Sequence, residues 1–284
     1  MKVPWPEGVV VRYHEPLSRH TALRTGGPCD AFVVVHAPEA LAESLALCRE
    51  RGWAWTLLGA GTRTVVRDGG LAGAAIRLGQ GFSTLVRDGL CWDVGAALPV
   101  GALVAVVAAA GHAGLEDLSG TPGCLGAALA LDDGPGRGWA GVLETVRYLR
   151  RGRMVEGTLP EALVGRRPVV LGARFRLAEG DPEVIQAQVR KRLAASRAWS
   201  WYEPPVRAQV RAAIQHSSLA GVRLRHVLIP VAAPETLVNL GGGTAADLAL
   251  LERSVLDRVK RQRGIDLKPR VRWAGRHRPE GNDG

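Results

Sequence analysis

A glycine-rich turn flanked by hydroxyl side chains is the first stretch of the sequence whose residue types suit chemistry. The apolar run at 53–58 predicts a short β-strand, and Gly59-Ala60-Gly61 follows it directly. Glycine permits backbone angles that other residues avoid, so a tight turn here would point successive N–H groups into one concavity, together with the hydroxyls of Thr62 and Thr64. Such a concavity suits phosphate oxygens. The alternative is an ordinary turn, which glycines after a strand also mark.

A second glycine-rich segment, residues 114–128, reads GLEDLSGTPGCLGAA. Its last three glycines lie at 120, 123 and 126, with Pro122 among them, and small residues continue after them. Glycines at this spacing allow another chain or a ligand to approach the backbone closely. The segment is therefore predicted to form a second close-approach loop.

Cysteine and histidine add few candidates for chemistry. The four cysteines form no CxxC pair, so neither a zinc site nor a disulfide framework is predicted, and no metal is expected. We expect reduced and mostly buried thiols. His216, Arg225 and His226 lie close together in the sequence and would supply a proton donor and a cation, or else serve as surface and packing residues.

The formal net charge of +10 allows nucleic acids, anionic cofactors or phosphorylated substrates as partners. The excess is arginine scattered along the chain, and no finger, RNP-type or helix-turn-helix signature accompanies it, so no nucleic-acid partner is expected. The longest apolar stretch, 96–110, contains Pro99 and Gly101 and is too short to span a bilayer, so no membrane association is expected. No secretory signal precedes the first residues, which favours a cytoplasmic location.

The first half of the chain predicts alternating strands and helices. Strands are expected at 32–35, 74–78 and 91–94, and Pro38 opens a helix that Gly52 closes. That helix leads back to the glycine turn, which gives a βαβ-like unit. Residues 98–110 form a nearly all-apolar helix that we expect to be packed on both sides.

The second half predicts an antiparallel set followed by a smaller α/β unit. Strands are expected at 142–149, 154–155 and 169–177, then a helix from Asp181-Pro182 with an inner stripe of Val184, Ile185, Val189 and Leu193. Further strands are expected at 227–231 and 236–240. Thr244 and Asp247 cap a helix that Gly264 ends, and its inner face is predicted to comprise Leu248, Leu251, Val255 and Val259.

Taken together, these segments resemble the UDP-N-acetylenolpyruvoylglucosamine reductases, the MurB family of flavoproteins in peptidoglycan synthesis. The resemblance covers most of residues 17–275. It is carried by TALRTGGP at 21–28, LGAGT at 58–62, GLEDL at 114–118, TPGCLG at 121–126, LAGV at 219–222, LVNLG at 237–241 and GIDL at 264–267. Order and spacing over so many elements are more specific than any single loop.

The resemblance implies an α+β fold: a two-subdomain FAD-binding fold of the PCMH/VAO type, followed by a MurB-type C-terminal α/β substrate domain. The implied boundaries are 1–78 and 79–182 for the two FAD-binding subdomains and 183–275 for the substrate domain, with a disordered tail at 276–284. The family binds FAD, takes a hydride from NADPH and passes it to the enolpyruvyl double bond of a UDP-sugar.

The resemblance also assigns the two glycine-rich loops to FAD. The first loop would cradle the pyrophosphate through backbone N–H groups, and the second would lie against the cofactor. The cofactor-binding residues implied in this way are Gly59, Ala60, Gly61, Thr62, Arg63, Thr64, Thr121, Pro122, Gly123, Gly126 and Ala127. The family's serine and asparagine in the first loop are Thr62 and Arg63 here.

The catalytic positions depart from the family pattern. The family's glutamate, which follows Leu-x-Pro in the last strand, is Arg270, and an arginine cannot exchange a proton. The tyrosine-arginine-x-serine motif is replaced by LVGRRPVV at 163–170, where Arg166 would be the remnant of the catalytic arginine or an ordinary turn residue. The motif that carries the family's serine proton donor is missing between residues 201 and 218, and Asp132-Asp133 replace an expected asparagine.

Loss of the acid, the donor and the tyrosine together predicts a protein that keeps the fold and FAD but no longer reduces the family substrate. Such a protein would serve as a binding, scaffold or regulatory partner in cell-wall metabolism, with a UDP-sugar, another anionic small molecule or a protein as its partner. The alternative is an active reductase that uses NADPH and FAD, with relocated catalytic residues or an altered substrate.

Overall fold

The computed structural model describes residues 3–130, 139, 141–159, 169–195, 200–202 and 207–277. The described helices of six or more residues are α1 (Pro38–Glu50), α2 (Val100–Ala109), α3 (Leu125–Ala130), α4 (Pro182–Ala195), α5 (Arg207–His216) and α6 (Ala245–Arg263). Sixteen strands are described: β1 (Val9–Pro16), β2 (Pro28–Val35), β3 (Trp55–Leu57), β4 (Thr64–Val66), β5 (Leu71–Leu78), β6 (Leu85–Asp88), β7 (Cys91–Gly95), β8 (His112–Ala113), β9 (Leu143–Arg150), β10 (Arg153–Gly157), β11 (Val169–Arg176), β12 (Ala178–Glu179), β13 (Arg223–Leu224), β14 (Val227–Leu228), β15 (Val238–Asn239) and β16 (Arg272–Ala274).

The chain divides into two compact units, each built from separate stretches of sequence. Unit 1 comprises Met1–Tyr13, Ala31–Gly59 and Gly73–Ser196, and unit 2 comprises His14–Asp30, Ala60–Ala72 and Arg197–Gly284. The boundaries expected at residues 78 and 182 stay predictions. Residues 278–284, most of the expected tail, lie outside the described part of the chain.

Unit 1 contains two hydrophobic cores. A four-stranded sheet has the order β1-β2-β5-β3, in which β3 and β5 run parallel with Trp55 opposite Ala74. The core on this sheet buries alternate residues of β2 together with Leu41 and Cys48, which lie seven residues apart on one face of α1. The antiparallel strands predicted for 142–177 are confirmed within a five-stranded sheet of order β10-β9-β11-β7-β6.

The second core of unit 1 lies between the five-stranded sheet and α2, α3 and α4. The expectation that the 98–110 helix is packed on both sides is wrong. Val100, Leu103, Val104 and Val107 of α2 are buried, whereas Val106 is 45% exposed, and the other outward residues are the small Gly101, Ala102, Ala105 and Ala109. Alanine and glycine expose little apolar area, so an outer face of this composition needs no second layer.

The predicted inner stripe of α4 is half wrong. Ile185 is buried and Val189 is partly buried, but Val184 and Leu193 are each more than half exposed. Ile185 and Val189 are four residues apart and share one face of the helix, whereas Val184 lies about 100° away from Ile185 around the axis. No helix in the described ranges is long and apolar enough to cross a membrane.

Unit 2 is organised around α6. Its capping box is confirmed: the Thr244 hydroxyl accepts from the Asp247 backbone N–H, and the Asp247 carboxylate accepts from the Thr244 backbone N–H. Gly264 ends the helix in the left-handed conformation, and the predicted inner face is buried in the core of this unit. The short strands β13, β14 and β15 form one sheet, and β16 pairs with β4 in parallel.

Candidate functional site

The first glycine-rich loop begins in unit 1 at Gly59, two residues after β3. A methyl group added to Gly59 would lie 2.9 Å from the Cys124 Sγ atom and 3.5 Å from the Ala127 Cβ atom. The backbone of Gly59 does not adopt a left-handed φ, so the expectation that this glycine supplies a special backbone angle is not met. Glycine provides space here, because the Cys124 sulfur of the second loop lies directly against it.

The second loop is tied to the segment that precedes α2. The Val100 N–H donates to the Gly123 carbonyl at 3.0 Å, and the Gly126 N–H donates to the Ala96 carbonyl at 2.8 Å. A methyl group on Gly126 would lie 2.7 Å from the Ala96 Cβ atom, so glycine permits the close packing. Gly126 and Ala127 belong to the first turn of α3, whereas Thr121 and Pro122 precede that helix.

A cation in unit 1 that the sequence analysis did not identify lies beside Gly59. The Arg77 guanidinium donates to the Gly59 carbonyl at 3.1 Å, and its central carbon lies 5.7 Å from the Phe32 ring centroid. Burial lowers the pKa of Arg77, and the neighbouring Cys124 opposes that shift, but a guanidinium stays charged in either case. A lone arginine inside the apolar strand β5 was the available sequence signal.

The rest of the first loop belongs to unit 2. Gly61 has a φ of +65°, as a glycine in a tight turn allows, and its carbonyl accepts from the Ala22 N–H at 3.1 Å. A methyl group on Gly61 would lie 2.3 Å from the His20 carbonyl oxygen, so the loop backs onto residues 20–22. The Arg63 carbonyl accepts from the Arg272 N–H, and Thr64 begins β4. Ala60 is exposed, and Thr62, Arg63 and Thr64 are partly exposed, so their role in binding the cofactor stays a prediction.

The loop residues of unit 1 fit an anionic dinucleotide. Gly59, Cys124 and Ala127 bring backbone and small side chains together at one point. The Arg77 cation lies beside the Gly59 carbonyl. The Arg77 cation supplies the positive field that a pyrophosphate requires, whereas close approach of the phosphates to the loop backbone stays a prediction.

In unit 2, Arg270, which the resemblance places where the family has a glutamate, takes part in a short backbone pairing. The Arg270 N–H donates to the Trp201 carbonyl at 2.8 Å, and Tyr202 forms an isolated bridge with Pro269. Trp201 and Tyr202 are fully buried, whereas Arg270 is partly exposed. The residues opposite Arg270 are therefore large aromatic side chains within the core of unit 2.

An acid that sequence reasoning missed is bound to one of these aromatic residues. Glu252 of α6 is 8% exposed, and its two carboxylate oxygens accept from the Trp201 indole N–H at 2.7 Å and from the Trp273 indole N–H at 3.0 Å. The Arg67 guanidinium lies over the Trp273 ring at 5.0 Å from its centroid. Burial raises the pKa of Glu252, while the two indole bonds and Arg67 act in the opposite direction.

The remaining candidates are not brought together as one site. Arg166 and Asp132-Asp133 lie outside the described residues. Arg225 donates to the Asp247 carboxylate at 3.1 Å, where it supports the capping box of α6, and His226 is exposed. His216 lines a cleft of about 780 Å³ between α5 and residues 263–268, where its carbonyl accepts from Arg263. No cluster of metal-binding side chains occurs in the described ranges.

Comparison with known proteins gives a consistent result along the chain. Residues 29–155 match the family described as "FAD binding domain", and residues 188–274 match the "UDP-N-acetylenolpyruvoylglucosamine reductase, C-terminal domain". The chain is 35% identical to the UDP-N-acetylenolpyruvoylglucosamine reductase of Rubrobacter xylanophilus, over 93% of this chain and 95% of that protein. It is 33% identical to the corresponding protein of Syntrophotalea carbinolica, over 93% and 94% of the two chains.

A solved structure shows the same relationship. The crystal structure of the UDP-N-acetylenolpyruvylglucosamine reductase (MurB) from Thermus caldophilus matches with a TM-score of 0.77 and 26% sequence identity, over 93% of this chain and 98% of that chain. The similarity therefore extends over nearly the full length of both chains.

Proposed function

Because the chain belongs to the UDP-N-acetylenolpyruvoylglucosamine reductase (MurB) family, we propose that it binds FAD but does not reduce the enolpyruvyl double bond of the family substrate. The expected α+β fold, with a PCMH/VAO-type FAD-binding part and a MurB-type C-terminal domain, is confirmed. The family consists of FAD-binding reductases of peptidoglycan synthesis, and the chain contains the FAD-binding domain.

The FAD would be held in unit 1 by the residues that surround Gly59. Cys124 and Ala127 keep side-chain bulk small where the two loops meet, and Arg77 places a positive charge beside the loop carbonyl. The resemblance adds Ala60–Thr64, Thr121, Pro122, Gly123 and Gly126 as further contacts. When bound, a flavin accepts and donates hydride, so the chemistry would come from FAD and the protein would supply binding and orientation.

The proposed loss of activity rests on Arg270, which stands where the family has a glutamate. A carboxylic acid at this position can stabilise an enol-like intermediate and exchange a proton, whereas a guanidinium is permanently protonated. Trp201, whose carbonyl accepts from the Arg270 N–H, directs its own indole to Glu252. Both oxygens of Glu252 accept indole N–H groups, so this acid is engaged in holding the fold and is poorly placed to serve a substrate.

A protein of this kind would act through binding. The net charge of +10 and the FAD-binding fold favour an anionic ligand, and the names of the relatives point to a UDP-sugar. A regulatory or scaffold role in cell-wall metabolism follows, in which ligand occupancy rather than turnover would be the signal to a protein partner.

The experiment compares flavin content with turnover. We expect the purified protein, after incubation with FAD, to show the visible absorbance of a bound flavin. We also expect NADPH to be consumed no faster when UDP-N-acetylenolpyruvoylglucosamine is added. A substrate-dependent oxidation of NADPH would refute the proposal, and absence of flavin binding at saturating FAD would refute its first half.

The alternative is an active reductase that uses NADPH and FAD with relocated residues, and it is favoured by the reductase name of a relative at 35% identity. Stopped-flow mixing with NADPH distinguishes the two cases. An active enzyme with an altered substrate would bleach the flavin within its turnover time, even when the family substrate is inert. In a binding protein, NADPH would bleach the flavin slowly. The Arg270→Glu variant, which restores the family residue, provides the matched comparison.

A further inference from the structure

We propose that Glu252 is a positioning residue for the first flavin loop, because it anchors the strand that holds residues 63–70 in place. The inference rests on the proposed FAD binding and adds a residue that the family resemblance does not supply. All the contacts that carry it lie within unit 2.

The Glu252 carboxylate joins two tryptophan side chains. Glu252 accepts from the indoles of Trp201 and Trp273, which are far apart in sequence, at 2.7 and 3.0 Å. Glu252 is 8% exposed, and Trp201 is fully buried. Packing alone would be served by an apolar residue, whereas a buried carboxylate with two donors fixes the direction of both rings.

Trp273 lies on β16, the strand that pairs with β4. β16 follows residues 63–70 through a series of backbone bonds: Arg272 N–H to the Arg63 carbonyl at 2.7 Å, Arg67 N–H to the Ala274 carbonyl at 2.9 Å, and Arg276 N–H to the Gly70 carbonyl at 2.9 Å. The Arg67 guanidinium also covers the Trp273 ring. Any displacement of Trp273 is therefore transmitted to the end of the loop at Arg63 and Thr64.

Residues 63–70 are also attached to α6 through Asp68. The two carboxylate oxygens of Asp68 accept from the backbone N–H groups of Ala245 and Ala246, each at 2.9 Å. Ala245 and Glu252 are seven residues apart, which corresponds to about 10 Å along the helix. Two attachments separated in this way fix the orientation of residues 63–70, whereas Asp68 alone would let the segment rotate about one point.

The experiment uses the full chain and two readouts. Amide hydrogen exchange measures protection of residues 61–70 and 271–276, and titration with FAD measures its dissociation constant. The variants are Glu252→Leu, which removes both acceptors, and Trp273→Phe, which removes one donor while keeping an aromatic ring. Leu251→Ala is the matched control, because Leu251 is 2% exposed on the same helix and its truncation destabilises the same core.

We expect Glu252→Leu to raise exchange selectively in the two segments and to weaken FAD binding about tenfold, which corresponds to about 1.4 kcal/mol. Trp273→Phe should do the same to a smaller extent, and Glu252→Gln should retain part of the wild-type affinity. Leu251→Ala should lower the melting temperature at least as much, with less than about a twofold change in FAD affinity.

Two results would overturn the inference. If Leu251→Ala and Glu252→Leu weaken FAD binding equally at equal loss of melting temperature, Glu252 has only a structural role. If protection of residues 61–70 is unchanged in a folded Glu252→Leu or Trp273→Phe protein, the strand does not depend on this anchor. Failure of the wild-type protein to bind FAD refutes the proposed function instead, and the exchange measurement still decides the role of Glu252.

Discussion

Replacing Gly59 by alanine tests whether the two loops of unit 1 meet as closely as the structure indicates. The added methyl group would lie 2.9 Å from the Cys124 Sγ atom, closer than side-chain carbons normally approach a neighbour, and 3.5 Å from the Ala127 Cβ atom, an ordinary contact. Because Gly59 has no left-handed φ, the cost comes from this one overlap. Overpacking of this kind costs about 1–3 kcal/mol, and the lower chain entropy of unfolded alanine returns about 0.4–1 kcal/mol.

The expected loss for Gly59→Ala is therefore about 1–2 kcal/mol in the free energy of unfolding. Cys124→Ala removes the clashing sulfur, so the double variant should be no less stable than Cys124→Ala alone. The resulting coupling energy is about 1–2 kcal/mol. Urea unfolding of the four proteins measures the cycle, with flavin titration in parallel, because a displaced loop should also weaken FAD binding.

Gly101→Ala is the control for the same chemical change. No atom lies within 4 Å of a methyl group added there, and Gly101 is an exposed residue of α2, so we expect a gain of about 0.5–1 kcal/mol. If Gly59→Ala is tolerated as well as Gly101→Ala, or if Cys124→Ala fails to restore the loss, the proposed contact between the two loops is wrong.

Three further predictions concern charged side chains. Arg77→Met should weaken FAD binding about tenfold with a small change in melting temperature, because it removes the charge beside the Gly59 carbonyl, and an unchanged dissociation constant would contradict this. Asp68→Asn should lower the free energy of unfolding by about 1–2 kcal/mol, because an amide oxygen accepts only one of the two N–H bonds and the charge that favours a helix N-terminus is lost. The control is Asp257→Asn on the exposed part of α6, which should change the free energy of unfolding by less than about 0.5 kcal/mol. Burial raises the pKa of Glu252 above its ordinary value of 4.5. The stability that Glu252 contributes is therefore fully present below pH 4.5 and is lost as the pH rises through the pKa of the folded state. The stability of the wild type relative to Glu252→Gln should therefore fall from pH 4.5 upward in calorimetry, and a rise would show that the indole bonds outweigh desolvation.

The sequence alone identified features that depend on neighbouring residues. The ends of α6 follow from Thr244, Asp247 and Gly264, because a cap needs only side chains within one helical turn of the terminus. The burial of its inner face follows from a period of 3.6 residues. The sequence also predicts the positions of the two glycine-rich loops and the family, since a glycine motif is a local pattern.

Tertiary structure decided which distant residues meet. Trp201 and Glu252 are 51 residues apart, and Arg77 and Gly59 are 18 apart, so no local pattern links them. It also decided why Gly59 is a glycine, because the space beside it is filled by residues of another loop. The same holds for the outer face of α2, whose composition suited burial but which no described element covers. Periodicity and caps are set by the geometry of a single helix or strand, whereas close packing is set by the shape of every chain segment that reaches a given point.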